Sequence, residues 1–395
     1  MVKRNPHFAG LSEGYLFPEI ARRRRALLEK NPDAKIISLG IGNTTEPLTP
    51  AVAQALELAA RELGTADGYS GYADDSAGLS ALREQIAAVL YKGRITPREI
   101  TISDGAKCDI GRLQILFGGR ATVCIQDPAY PVYVDGSLIA GAGGGLQYMP
   151  CRPENDFFPD LGGLKRADLI YFCSPNNPTG AAATKTQLAE LVAFARQNKS
   201  IIIFDAAYSE FIVEQNLPRS IYEIPGADEV AVEVNSFSKS IGFTGVRLGW
   251  CVVPQKLKFE DGRPALPDWL RIINTLFNGA SNIAQRGGLA ALTPAGRRET
   301  QNLVAYYQDN AKLILEGLRQ TGIQAYGGVN SPYIWAHFPG QKSWDVFEKI
   351  LNEAYVVTTP GAGFGPAGES FIRFSAFGRH GDIDAAAQRL KRLKF

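Results

Sequence analysis

Histidine is scarce in this chain of 395 residues: the 3 copies are His7, His337 and His380. Set so far apart in sequence, they give no metal-ligand spacing. The 5 cysteines, Cys108, Cys124, Cys151, Cys173 and Cys251, include no Cys-x-x-Cys pair. Three of them fall in runs that read as buried strands, so free thiols in a reducing compartment are expected. No apolar run approaches membrane-spanning length, and the first residues lack the apolar core of a signal peptide, so the expected location is the cytoplasm. A formal net charge of +2 gives no reason to invoke nucleic acid or an anionic membrane. The basic run Arg22–Arg25 reads as the solvated face of a helix over Pro18–Lys30. Neither a P-loop nor a G-x-G-x-x-G occurs, which argues against an ATPase or a Rossmann dehydrogenase. The glycine-rich Gly141–Gly145 has none of the flanking context that phosphate loops require and reads as a turn.

What is present is ordinary globular composition, 45% hydrophobic and 21% charged. The length suits one large domain plus a smaller one. The expected division is a large unit over 50–290, and a smaller α+β unit built from 1–49 and 291–395. The first segment holds a helix, a short strand Lys35–Leu39 and the glycine-punctuated loop Gly40-Ile-Gly-Asn-Thr-Thr-Glu-Pro47. Helical periodicity follows over Ala51–Leu63 and Gly78–Leu90, separated by the aromatic loop Gly68-Tyr-Ser-Gly-Tyr-Ala-Asp-Asp75.

From residue 99, short β-rich runs alternate with helical stretches, the pattern of a mostly parallel sheet covered on both faces. The predicted strands are Glu99–Ser103, Ala121–Gln126, Asp168–Cys173, Ile201–Phe204, Val230–Val234 and Leu248–Val253. Leu266–Leu292 reads as helical, and a long helix is predicted over Gly296–Gln320. The tail carries strands at Tyr333–His337, Ala354–Val357 and Phe371–Ser375, with helices over Trp344–Asn352 and Asp382–Leu393.

Ligands of open α/β sheets bind beyond the carboxyl ends of the strands. Five of those ends read Ser103-Asp-Gly-Ala-Lys107, Asp127-Pro-Ala-Tyr130, Ser174-Pro-Asn-Asn-Pro-Thr-Gly180, Asp205-Ala-Ala-Tyr208 and Asn235-Ser-Phe-Ser-Lys239. Each matches one edge of pyridoxal phosphate. Gly105-Ala106-Lys107 opens a helix whose free N–H groups suit a phosphate. Tyr130 offers a ring to stack on the pyridine. Asn177 offers an amide to the phenolic oxygen, and Tyr208 a hydroxyl to the same atom. Asp205, at the edge of an apolar strand, is a costly charge unless paired, and a protonated pyridine nitrogen would pair it. Taken singly, Asp205 is more commonly a helix cap. Ser236, Ser238, Thr244 and Arg247 supply small hydroxyls and a guanidinium for a phosphate. Lys239 beside them suits Schiff-base chemistry, provided its amine is held as the free base.

In this order, Ser-Pro-Asn-Asn-Pro-Thr-Gly, Asp-x-x-Tyr, Ser-x-x-Lys and Gly245-Val-Arg247 resemble the class I aminotransferases of the fold-type I pyridoxal phosphate family, over essentially the whole chain. Within that family, four stretches resemble the LL-diaminopimelate aminotransferase group. They are Phe8–Pro18, Leu39-Gly-Ile-Gly-Asn-Thr-Thr-Glu-Pro47, Pro150-Cys-Arg-Pro-Glu-Asn-Asp-Phe-Phe158 and Asn235–Gly245. The resemblance implies a seven-stranded, mostly parallel sheet between helices, plus the smaller α+β domain. It implies that Lys239 is the Schiff-base lysine and proton shuttle, with Asp205 and Tyr208 beside it. Ala106, Lys107, Ser236, Ser238 and Arg247 become phosphate ligands, and Tyr72 reaches the cofactor of a neighbouring subunit in a homodimer. Arg373 would clamp the substrate carboxylate, with Tyr15, Gly42, Lys107, Tyr130, Asn177 and Asn278 completing the substrate pocket. Asp74 or Asp75 would meet the distal ammonium of diaminopimelate.

The implied reaction is ping-pong transamination between tetrahydrodipicolinate with L-glutamate and LL-2,6-diaminopimelate with 2-oxoglutarate, in lysine and peptidoglycan precursor synthesis. Three alternatives share the motifs. They are a broader aspartate, aromatic or kynurenine aminotransferase, a regulator that binds the cofactor without turnover, and a pyridoxal phosphate lyase or decarboxylase.

Overall fold

The structure, a computed structural model, describes residues 2–11, 16–72 and 76–395. After the short strand β1 (Ile37–Ser38), seven strands form the central sheet. They are β2 (Ile100–Ser103), β3 (Val123–Asp127), β4 (Leu146–Pro150), β5 (Leu169–Cys173), β6 (Ile201–Asp205), β7 (Ala231–Ser236) and β8 (Gly249–Val252). Their spatial order is β2-β8-β7-β6-β5-β3-β4. β8 runs antiparallel to both β7 and β2, and the remaining neighbours are parallel. Consequently β2, β3, β5, β6 and β7 all end at one edge, where β8 begins.

Every residue of β2, β3, β5, β7 and β8 is buried, because helices cover both faces. On one side Val52, Leu82, Leu188, Leu191 and Ala284 pack against the sheet, and on the other Ile110, Leu113, Tyr133, Trp269 and Ile273. The six strands predicted for this sheet are found, each with slightly different bounds. Within this sheet, β4 is the strand that the periodicity missed. It lies at the sheet edge, half exposed, and its sequence Leu-Gln-Tyr-Met-Pro has no continuous apolar run. The glycine-rich stretch before it is a short 3-10 turn, Ala142–Gly145. The helical reading of Leu266–Leu292 needs correction. Two helices, Ala265–Leu276 and Asn282–Ala291, are separated at Gly279, whose φ of +93° lies in the left-handed region and interrupts the helix.

The tail forms β9 (Gln324–Gly327), β10 (Tyr333–His337), β11 (Val356–Val357), β12 (Thr359–Pro360) and β13 (Phe371–Ser375). Four of these make a second sheet in the order β12-β13-β10-β9, while β1 pairs in parallel with β11. Leu16, Ile20 and Leu27, from the helix Leu16–Lys30, share one core with Ile314, Leu318, Trp335, Ile372 and Phe374. The two ends of the chain therefore build a common core. No helix among the described residues is long and apolar enough to cross a membrane.

Candidate active site

At the edge where the parallel strands end lies a cavity of about 370 Å³. Gly42, Ala106, Lys107, Tyr130, Asn177, Asp205, Tyr208, Ser236, Ser238, Lys239, Arg247 and Arg373 all line it. Its wall carries four cations, Lys107, Lys239, Arg247 and Arg373, against one carboxylate, Asp205. Such an imbalance in a recessed site favours an anionic ligand.

The phosphate end is built on the backbone. Gly105 caps the helix Ala106–Phe117 with a φ of +123°, and a Cβ there would sit 2.5 Å from Arg247 Nη2. Only glycine lets the guanidinium close over that helix start, whose N–H groups carry the positive end of the dipole. Arg247 itself has a φ of +70°, a left-handed position that is strained for a residue with a Cβ, and its Nη1 donates to Ser238 Oγ at 3.2 Å. Ser236 Oγ donates to Ser238 Oγ at 2.9 Å and accepts from the Ser238 N–H at 3.0 Å.

The Lys239 amine donates to the Gly42 carbonyl. Desolvation, with the charges of Arg373, Arg247 and Lys107, lowers its pKa from 10.5 to about 8. At pH 7 this raises the free-base fraction roughly three-hundredfold, toward the form that attacks an aldehyde.

Asp205 ends β6 and is buried. Its Oδ2 accepts from the Tyr133 hydroxyl at 2.7 Å and its Oδ1 from the Ala207 N–H at 3.0 Å. Burial pushes its carboxyl up, while those two donors pull it down. No cation of the described residues pairs with it, so an N–H⁺ brought by a ligand would complete its charge balance.

Arg373 on β13 is 1% exposed. Its Nη1 donates to Asn177 Oδ1 at 2.6 Å, and its Nη2 to the Gly40 carbonyl and to Thr359 Oγ1. Its buried Nε has no acceptor among the described residues. Neutral oxygens thus hold a guanidinium in place while leaving its charge uncompensated, which is the arrangement of a carboxylate receptor.

These features fit pyridoxal phosphate. The cradle at Gly105 and Arg247 suits its phosphate, the Asp205 carboxylate its ring N–H, and the Lys239 amine its aldehyde. A sequence model of the aminotransferase class I and II family matches residues 34–390. The chain belongs to the class I and II aminotransferases. Pyridoxal phosphate is the cofactor of this family. Among curated relatives, the LL-diaminopimelate aminotransferase of Protochlamydia amoebophila (strain UWE25) is 53% identical over 401 residues, covering 99% of this chain and 97% of the relative. The chloroplastic LL-diaminopimelate aminotransferase of Arabidopsis thaliana is 53% identical over 403 residues, with 99% and 87% covered. The solved structure of L,L-diaminopimelate aminotransferase from Chlamydomonas reinhardtii superimposes with a TM-score of 0.95 at 55% identity, covering 99% and 98% of the two chains.

Two residues expected at an aminotransferase site of this kind lie elsewhere. Tyr72, 87% exposed, and Asn278 line a separate surface hollow and not the Lys239 cavity. Tyr15, Asp74 and Asp75 fall outside the described residues. Conversely, the cavity includes Tyr133, Cys173 and Tyr333, which the motifs did not single out. Tyr133 had one available signal, its place three residues after Tyr130 at a helix start. Tyr333 opens an apolar strand, and nothing in its neighbours distinguishes it from core.

Proposed function

We propose that the chain is an LL-diaminopimelate aminotransferase. It exchanges the amino group between L-glutamate and tetrahydrodipicolinate, giving LL-2,6-diaminopimelate and 2-oxoglutarate. One observation carries the transaminase chemistry: the Lys239 amine, the Asp205 carboxylate and the uncompensated Arg373 guanidinium face a single cavity. Full-length similarity to relatives named for that reaction supports the substrate. Pyridoxal phosphate, when bound, supplies an aldehyde that captures amines and a ring that accepts the electron pair released at Cα.

The chain's own groups do the rest. Gly105-Ala106-Lys107, Ser236, Ser238 and Arg247 hold the phosphate, and Tyr130 offers its ring face. Asp205 keeps the ring nitrogen protonated, with Tyr133 fixing its orientation. The Lys239 amine removes the proton at Cα and returns it on the other side of the exchange, acting as base and then acid. Arg373, steadied by Asn177, grips the α-carboxylate common to both substrates. Tyr208 directs its hydroxyl at the ring oxygen.

The finer assignments are also proposed. Tyr72 and Asn278 serve the site of a second copy in a homodimer. Their place beside the exposed Tyr69, away from their own chain's cavity, supports this. Either Asp74 or Asp75 answers the distal ammonium, and Tyr15 closes the substrate pocket. Residues 50–290 form the cofactor-binding unit, and 1–49 with 291–395 the smaller one, supported by the core that both chain ends share. A cytoplasmic location agrees with five free cysteines.

The test is the visible cofactor absorption of the purified chain. LL-diaminopimelate and glutamate are expected to bleach it rapidly, with aspartate and phenylalanine far slower. Silence toward LL-diaminopimelate alongside bleaching by aspartate would refute the substrate.

A further inference from the structure

Tyr333 connects the two halves of the site. It opens β10, is 1% exposed, and lines the same cavity as Lys239. Its hydroxyl shares a hydrogen bond of 2.9 Å with the Tyr208 hydroxyl, and the two rings meet edge to face at 5.1 Å. The other side of its role is the ring. The Arg373 guanidinium carbon sits 4.4 Å from the Tyr333 ring centroid and 4.9 Å from that of Phe364. The loop opposite must also clear it, since a Cβ on Gly42 would lie 2.3 Å from the Tyr333 hydroxyl.

We propose that Tyr333 is a positioning residue for transamination, its hydroxyl orienting Tyr208 toward the cofactor oxygen and its ring holding Arg373 for the substrate carboxylate. The inference rests on the aminotransferase reading above. Each half follows from simple chemistry. A phenol has one proton, so when Tyr333 donates to Tyr208, the Tyr208 proton is free to point into the cavity. Donation also makes Tyr208 the stronger donor toward an anionic oxygen. The ring face, negative by its quadrupole, is a platform for a desolvated guanidinium that lacks a carboxylate partner.

The two roles separate by substitution. Tyr333→Phe removes the hydroxyl and keeps the ring. A weaker Tyr208 donor stabilises the bound anionic oxygen less, so the midpoint of the pH titration of the visible cofactor band, without substrate, should rise by about half a pH unit. KM for glutamate should stay within about twofold, because the platform remains. Tyr333→Leu removes both, and should add a rise of about tenfold in KM for glutamate and LL-diaminopimelate alike. In the background of Tyr208→Phe, the Tyr333→Phe change should no longer move the midpoint. A midpoint that stays put or falls in Tyr333→Phe, or an unmoved KM in Tyr333→Leu, overturns the proposal. If Tyr333→Leu does not accumulate as folded protein, the Tyr333→Phe midpoint decides alone. Failure of the aminotransferase reading looks different, since the unsubstituted chain would then show no substrate-responsive band at all.

Discussion

The middle of β7 and the cavity beyond its end handle buried charge in opposite ways. The middle carries Glu233, fully buried, whose carboxylate accepts from Tyr91 Oη at 2.7 Å, Ser220 Oγ at 2.6 Å and the Ile221 N–H at 3.1 Å. Tyr91 in turn accepts from Trp250 Nε1 at 2.9 Å. That network is closed and has nothing left to offer a ligand. At the end of the same strand, Ser236 leads to Lys239 and a cavity whose four cations, the buried Arg373 among them, meet no carboxylate except the hydroxyl-bound Asp205. A satisfied buried charge is architecture, whereas an uncompensated one stores an unmet demand that a ligand can answer.

Substitution at Lys239 breaks the contrast most sharply. Lys239→Ala should abolish transamination and the visible cofactor band, measured by half-reaction spectra. The same change should stabilise the cofactor-free chain. The pKa of Lys239 is depressed in the fold, so its charging penalty is complete below pH 8 and is relieved as pH rises from about 8 toward 10.5. The variant's advantage in chemical denaturation should therefore be largest at neutral pH, on the order of 2 kcal/mol, and shrink above pH 8.

Arg373→Lys comes next. An ammonium cannot reproduce the planar fork held by Asn177, Gly40 and Thr359, so steady-state KM should rise about tenfold or more for both amino donors. An unchanged KM would remove Arg373 from the substrate contact.

Glu233→Gln is the smallest and should spare the chemistry. Burial raises the Glu233 carboxyl from 4.5 to about 7. Between those values the unfolded chain has ionised while the folded chain keeps its proton, so the native carboxyl loses stabilising influence as pH climbs. Thermal melts should show the variant less stable by about 1 kcal/mol near pH 4.5, with the deficit closing and then reversing in sign as pH rises toward 7. Loss of turnover in this variant would blur the distinction between the closed network and the cavity.

Much of the site was legible because its residues follow strand ends. Lys107, Tyr130, Asn177, Tyr208 and Lys239 each lie a few positions beyond a β-rich run, and parallel packing brings such positions together without further information. Arg373 was accessible only through the family resemblance, since an arginine on an outlying strand ordinarily faces water; packing against Tyr333 and Phe364 buries it. Tyr133 and Tyr333 were hidden for the converse reason, because aromatic residues at element starts look like core. The strand β4 escaped because an edge strand is half solvated and need not be apolar throughout. The break at Gly279 escaped because the apolar periodicity resumes on the far side of it.

The shared core of the chain ends has a consequence for biogenesis. During synthesis the ribosome delivers every phosphate-cradling group by Arg247, yet the guanidinium on β13 emerges more than a hundred residues later, after Phe371. β1 must also wait for β11 before it can pair. The groups that fit the phosphate are therefore all synthesised before the guanidinium that fits a substrate carboxylate, and the second core closes only when the last strand has been made.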